Sequence, residues 1–121
     1  MTDWKLGAVE ARFADIIWQN EPLTTQELTR LCETELKWKR ITTYTVLGRL
    51  SERGLFKKEG TTVTSCLSRE EFYAHQSQQY VEDAFSGSLP AFLAAFTHRK
   101  PLTPEEVAQL RRMIEEYGES K

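Results

Sequence analysis

Long apolar runs are missing from this chain: no stretch approaches the roughly 18 residues that a membrane-spanning helix needs. The opening of the sequence is interrupted by Lys5, Glu10, Arg12 and Asp15, unlike the unbroken apolar core of a signal peptide. A cytoplasmic location with no membrane insertion is the expectation. Cysteine is scarce: Cys32 and Cys66 stand far apart and, in a reducing compartment, read as small buried hydrophobes rather than a disulfide. Histidine is equally scarce, and neither His75 nor His98 has a cysteine or carboxylate partner at metal-ligand spacing. No glycine-rich phosphate loop or nucleophile elbow is present. The acid pairs Glu70-Glu71, Glu105-Glu106 and Glu115-Glu116 read as helix starts or a charged helix face, not a catalytic dyad. These absences argue against an enzyme and against a metal or other cofactor. Overall positive charge is lacking as well, with 16 basic residues against 18 acidic. That argues against a non-specific nucleic-acid coat but not against a site-specific binder, because only the surface that meets phosphate must be positive.

What positive charge exists is gathered in one place. From Lys37 to Lys58 there are seven basic residues and one acid, so this segment carries +6 and the rest of the chain −8. Within it Thr43, Val46, Leu47 and Leu50 follow a helical period, giving one side that faces a core. At about 100° per residue, Ile41, Thr45, Gly48 and Glu52 point the other way, with Tyr44 on one flank and Thr42 and Arg49 on the other. A helix that turns small and hydroxyl-bearing residues outward, with cations at its ends, suits a DNA major groove.

The flanking segments fit that role. Val9, Phe13, Ile16 and Ile17 mark a first amphipathic helix over Leu6 to Trp18, closed by Asn20-Glu21-Pro22. Thr24 with Glu27 forms a capping box for a second helix, which ends near Glu35. The basic third helix starts between Lys39 and Thr42 and runs to about Arg53, with Gly54 placed to end it in a left-handed conformation. Three short helices with brief turns outline a helix-turn-helix. Leu55 to Glu59, a Gly60-Thr61 turn and Thr62 to Leu67 then predict a hairpin, the wing that would carry Lys57, Lys58, Thr61 and Thr62 toward the same duplex.

Ser68 and Glu71 cap a long helix that Ser86-Gly87-Ser88 breaks; Leu89, Phe92, Leu93 and Phe96 mark a short apolar helix; Thr103, Pro104 and Glu106 start a last one, bearing Val107, Leu110, Ile114 and Tyr117. The fold class is therefore mainly α with a small β-hairpin: a winged helix-turn-helix domain over residues 1–70 and a helical domain over 71–121. Phe72, Tyr80, Phe85, Leu89, Phe92, Leu93, Phe96, Leu110 and Ile114 present more apolar surface than short helices bury by folding back on so small a domain. A second copy of the chain is the simpler cover, intramolecular packing the alternative.

The order of residues resembles the penicillinase and methicillin-resistance repressors (BlaI/MecI), with the copper-responsive repressor CopY as a relative. The likeness rests on Leu6 to Trp18 with Glu10, on Trp38 followed by Thr42, Thr45, Leu47, Arg49, Leu50, Gly54 and Leu55, on Phe85-Ser86-Gly87-Ser88-Leu89, and on Leu102-Thr103 with Glu105-Glu106. It implies a homodimeric winged-helix repressor on a palindromic double-stranded DNA operator, its C-terminal helices forming the dimer. Carried over by position, Thr42 and Thr45 are recognition-helix hydroxyls and Arg49 a structural or phosphate-facing arginine. The resemblance also implies a membrane-bound metalloprotease sensor as a partner, cutting near Ala95-Phe96. Two features depart from the family pattern. The wing, Gly60-Thr61-Thr62-Val63-Thr64-Ser65, lacks the usual arginine and aromatics, and no cysteine follows Cys66, so copper sensing through paired thiolates is not expected.

On this reading Lys37, Lys39, Arg40, Lys57 and Lys58 neutralise phosphates, while the threonine hydroxyls and the Tyr44 edge discriminate bases. The rival reading is a winged-helix module that docks a protein through its basic helix, since a fold alone does not fix function.

Overall fold

A computed structural model describes residues 5–118; residues 1–4 and 119–121 lie outside the described part. Helix α1 (Ala8–Asn20) leads through a short strand β1 (Leu23–Thr24) into α2 (Thr25–Leu36) and α3 (Arg40–Glu52). Strands β2 (Phe56–Glu59) and β3 (Thr62–Ser65) follow, then α4 (Arg69–Phe85), α5 (Leu89–Arg99) and α6 (Pro104–Tyr117). The chain is mainly helical with one small sheet, a winged helix-turn-helix continued by a helical region.

Local chemistry sets the helix boundaries. Thr24 Oγ1 accepts the Glu27 N–H at 3.0 Å while Glu27 Oε1 accepts the Thr24 N–H at 2.8 Å. Ser68 with Glu71 and Thr103 with Glu106 repeat the arrangement at α4 and α6, so orphan donors at three helix starts are satisfied by side chains. Gly54 beyond α3 has φ +85°, a conformation that costs glycine little and lets the chain turn directly into β2.

The sheet has three strands in the order β1-β3-β2, all antiparallel. Sequence alone gave only the hairpin, because a strand as short as Leu23–Thr24 has no readable period; pairing of Leu23 with Val63 and Thr24 with Thr62 creates it. The Thr25 N–H donates to Thr61 O at 2.8 Å, which ties the wing tip to the start of α2. At the other end of β3, Glu21 Oε1 accepts the Ser65 N–H at 2.8 Å and its hydroxyl at 2.9 Å.

The core lies between α1, α2, α3 and the sheet. Phe13, Ile17, Leu28, Leu50, Leu55, Phe56 and Val63 are fully buried there, and Phe72 at the first turn of α4 is 2% exposed in the same cluster. Trp18 joins these parts, with ring centroids 5.8 Å from Phe56 and 5.4 Å from Phe72 and its Nε1–H donating to Leu67 O at 3.1 Å. Arg69 Nε donates to Asp15 Oδ1 at 3.0 Å and its guanidinium sits 4.7 Å from the Tyr73 ring centre, fastening the start of α4 to α1. Phe72 therefore corrects the sequence expectation: it is a core residue of the winged helix, already covered by Trp18, and not a face for a partner. Cys66 also departs from expectation. Cys32 is buried but Cys66 is exposed, because it follows β3 where the sheet ends. His98 is exposed, whereas His75 is half-buried.

By internal contacts the chain divides into residues 1–77 and 78–121, a division inside α4 about two helical turns past residue 70. In the second unit Tyr80, Phe85, Phe92 and Phe96 form a run of ring contacts with centroids 5.7 to 6.3 Å apart. Yet no described residue from Gln78 onward is buried. Leu89 at 57%, Phe96 at 47% and Ile114 at 70% are open to solvent.

Candidate nucleic-acid interface

Helix α3 is anchored by its inner stripe. Thr43, Val46, Leu47 and Leu50 are buried, and Trp38 just before the helix stacks on Phe13 with centroids 5.4 Å apart. The opposite stripe is then fixed by geometry: Ile41, Thr45, Gly48 and Glu52 all lie exposed, one above the other at helical spacing. Lys37, Lys39 and Arg40 stand exposed at the start of the helix. Lys37 ends α2 in the left-handed region at φ 60° with its N–H donating to Cys32 O, so the turn between α2 and α3 itself is a cationic corner.

Tyr44 is exposed on the flank of the helix. Hydrogen bonding with Thr25 first and Arg40 next holds the phenol below its ordinary value, and Arg40 lies 5.9 Å from its ring centre. Between α2 and the start of α3 an open cleft of about 310 Å³ is lined by Gln26, Thr29, Arg30, Glu33 and Arg40. Gln26 and Arg30 on this border were not singled out from the sequence; they belong to a helix with three glutamates and a single arginine, and only packing places them beside Arg40.

Thr45 is exposed, but its Oγ1–H donates to Ile41 O at 2.8 Å. Thr42 is half-buried on the flank. Arg49 Nη2 donates to Glu10 Oε2 at 3.2 Å, so this arginine braces α3 against α1; of its two expected roles the geometry provides the structural one.

The wing places Thr61 and Thr62 at the exposed tip, beside Gly60 at φ +63°. Lys57 pairs across the hairpin with Thr64 and Lys58 with Val63; alternation along a strand sends these two lysines to opposite faces. Lys57 has Glu59 at 3.8 Å on its own face. The hairpin thus separates Lys57 from Lys58. Among the described residues no group of three histidine, cysteine or carboxylate side chains stands close enough to hold a metal ion, and no helix is long and apolar enough to cross a membrane.

Comparison with known proteins matches residues 6–116 to the family described as penicillinase repressor. A penicillinase repressor from Bacillus licheniformis is 22% identical over 121 residues, an alignment covering 97% of this chain and 94% of that protein.

Proposed function

This chain belongs to the penicillinase repressor family, and from that premise we propose that it is a sequence-specific DNA-binding repressor that acts as a homodimer on an operator with dyad symmetry. The observation that carries the proposal is the exposed outer stripe of α3, with the exposed cations Lys37, Lys39 and Arg40 at the start of the helix. Cations there supply salt-dependent, sequence-independent attraction to phosphate and hold the register, and the outer stripe then meets the base edges.

The second unit supports dimerisation. Residues 78–121 are close to the size of about 40 residues below which a domain needs oligomerisation, metals or disulfides to be stable. Tyr80, Leu89, Phe96 and Ile114 lie exposed, while Phe85, Phe92, Leu93 and Leu110 are half-buried; these eight residues form the proposed contact with a second copy. Two reading heads on one palindrome multiply their binding, because the second engagement is intramolecular. Anything that separates the tails therefore releases DNA without touching α3. A cut at Ala95-Phe96 by a metalloprotease sensor belongs to this proposal. Both residues are exposed in α5, which has no buried residue, so local unwinding for a protease costs little core.

Sedimentation at micromolar concentration, together with selection of bound duplexes from a random pool, tests the whole reading. The expected result is a dimer and an enriched inverted repeat. A stable lone protomer, or binding at low salt that never sharpens on any sequence, would overturn it and favour a protein-docking module.

A further inference from the structure

The outer stripe of α3 ends in Glu52, but its first three members, Ile41, Thr45 and Gly48, offer little polarity where a base-reading helix usually carries donors and acceptors. Ile41 is 73% exposed, an uncommon placement for a branched aliphatic residue that is not part of a core. One turn on, Thr45 gives its only hydroxyl proton to Ile41 O at 2.8 Å. That hydroxyl is turned back on its own helix, so its proton is not offered outward. One turn further, Gly48 has no side chain, and a Cβ built there meets nothing within 4 Å, so the backbone itself has room to approach a surface.

In the major groove each base pair shows a distinct set of donors and acceptors, and only thymine shows a methyl group. Ahead of Glu52 at its far end, a stripe made of a sec-butyl side chain, a threonine whose hydroxyl proton is engaged and bare backbone has no side-chain donor to offer N7 or O6, but it matches a 5-methyl. The surrounding Lys37, Lys39 and Arg40 are exposed and positive, which complements phosphate on either side of such a groove. We propose that Ile41, with the Thr45 γ-methyl beside it and Gly48 allowing close approach, selects operator positions by the thymine 5-methyl group rather than by hydrogen bonds from threonine hydroxyls. The proposal rests on the reading of this chain as a DNA-binding dimer and names what its recognition helix reads.

The test uses the full-length chain and the operator recovered from a random pool. Each thymine of a half-site is replaced in turn by deoxyuridine, which lacks only the 5-methyl. At one or more positions Kd is expected to rise about fourfold per half-site, the worth of one buried carbon group at ~0.8 kcal/mol. Ile41→Ala, at an exposed helical position where folding is not at stake, is expected to bring the thymine-to-uracil ratio at that position to about one. Thr45→Ser keeps the hydroxyl and loses the methyl, and Thr45→Val does the reverse; the serine variant is expected to bind the operator more weakly than the valine variant. Uracil tolerated at every position, a thymine preference that survives Ile41→Ala, or a valine variant weaker than the serine variant would each overturn the proposal while leaving sequence-specific binding intact. If the pool yields no preferred operator, it is the DNA-reading function itself that fails, and this proposal with it.

Discussion

Glu10 grips two elements at once. Its Oε1 accepts the Gly7 N–H at the start of α1 at 3.1 Å, and its Oε2 accepts Arg49 Nη2 on α3 at 3.2 Å. The Arg49 side chain is 56% exposed, so the pair is screened and worth about 0.2–1 kcal/mol. A double-mutant cycle of Glu10→Gln and Arg49→Ala, followed by chemical unfolding, is expected to give a coupling in that range. Because the guanidinium is already engaged, Arg49→Ala should change the salt dependence of DNA binding by much less than one phosphate contact. A slope change near 0.9 would return Arg49 to the DNA backbone.

The two wing lysines are expected to behave differently. Lys58 pairs with Val63 on one face of the hairpin, whereas Lys57 shares the other face with Glu59 at 3.8 Å. Lys58→Ala should weaken operator and random duplex by the same factor and flatten the slope of log K against log salt by about 0.9. Lys57→Ala should do less, since Glu59 already offsets part of its field. Titrations at several salt concentrations measure both. For the unaltered dimer, with roughly four to six phosphates neutralised, the slope is expected at about −4 to −5.

Phe72 and Phe96 looked alike in sequence and are expected to fail in opposite ways. Phe72 is 2% exposed under Trp18, so Phe72→Ala should cost about 3–5 kcal/mol of winged-helix stability. Phe96 is 47% exposed, and Phe96→Ala should leave the winged helix folded while shifting sedimentation toward the protomer. Unfolding curves and sedimentation on both variants separate the two effects.

Alkaline pH offers a probe of the core. Burial pushes the Cys32 thiol from its ordinary 9.0 to about 11. Between those values the unfolded chain has lost the proton and the folded chain still holds it, so stability falls as pH rises from about 9 toward 11. Cys32→Ala is expected to lessen that fall in denaturant titrations at pH 8, 9 and 10 relative to the parent chain. A thiol reagent at neutral pH should label one cysteine, the exposed Cys66, and reach the second only on unfolding.

Gly48 is expected to trade stability for binding. A Cβ there meets nothing within 4 Å, so Gly48→Ala should raise helix stability by about 0.8–1 kcal/mol. The added methyl stands on the outer stripe of α3, and operator affinity should fall. Thermal unfolding and DNA titration of the one variant read both signs.

What this sequence determined by itself was local. The capping boxes at Thr24, Ser68 and Thr103 and the left-handed Gly54 are settled within a few residues, and the 3.6-residue period of Thr43, Val46, Leu47 and Leu50 fixes which side of α3 turns inward. The concentration of charge between Lys37 and Lys58 is likewise a property of composition. Tertiary structure decided everything that depends on what distant residues bring. Strand β1 exists because β3 lies beside it. Arg49 became a brace because Glu10, 39 positions earlier, reaches it. Phe72 became core and Phe96 did not because Trp18 helps cover one to 2% exposure, while the other, against Phe92, stays 47% exposed. An apolar stripe in a sequence states that surface must be hidden; which partner hides it is settled only when chain segments far apart compete for the same contact.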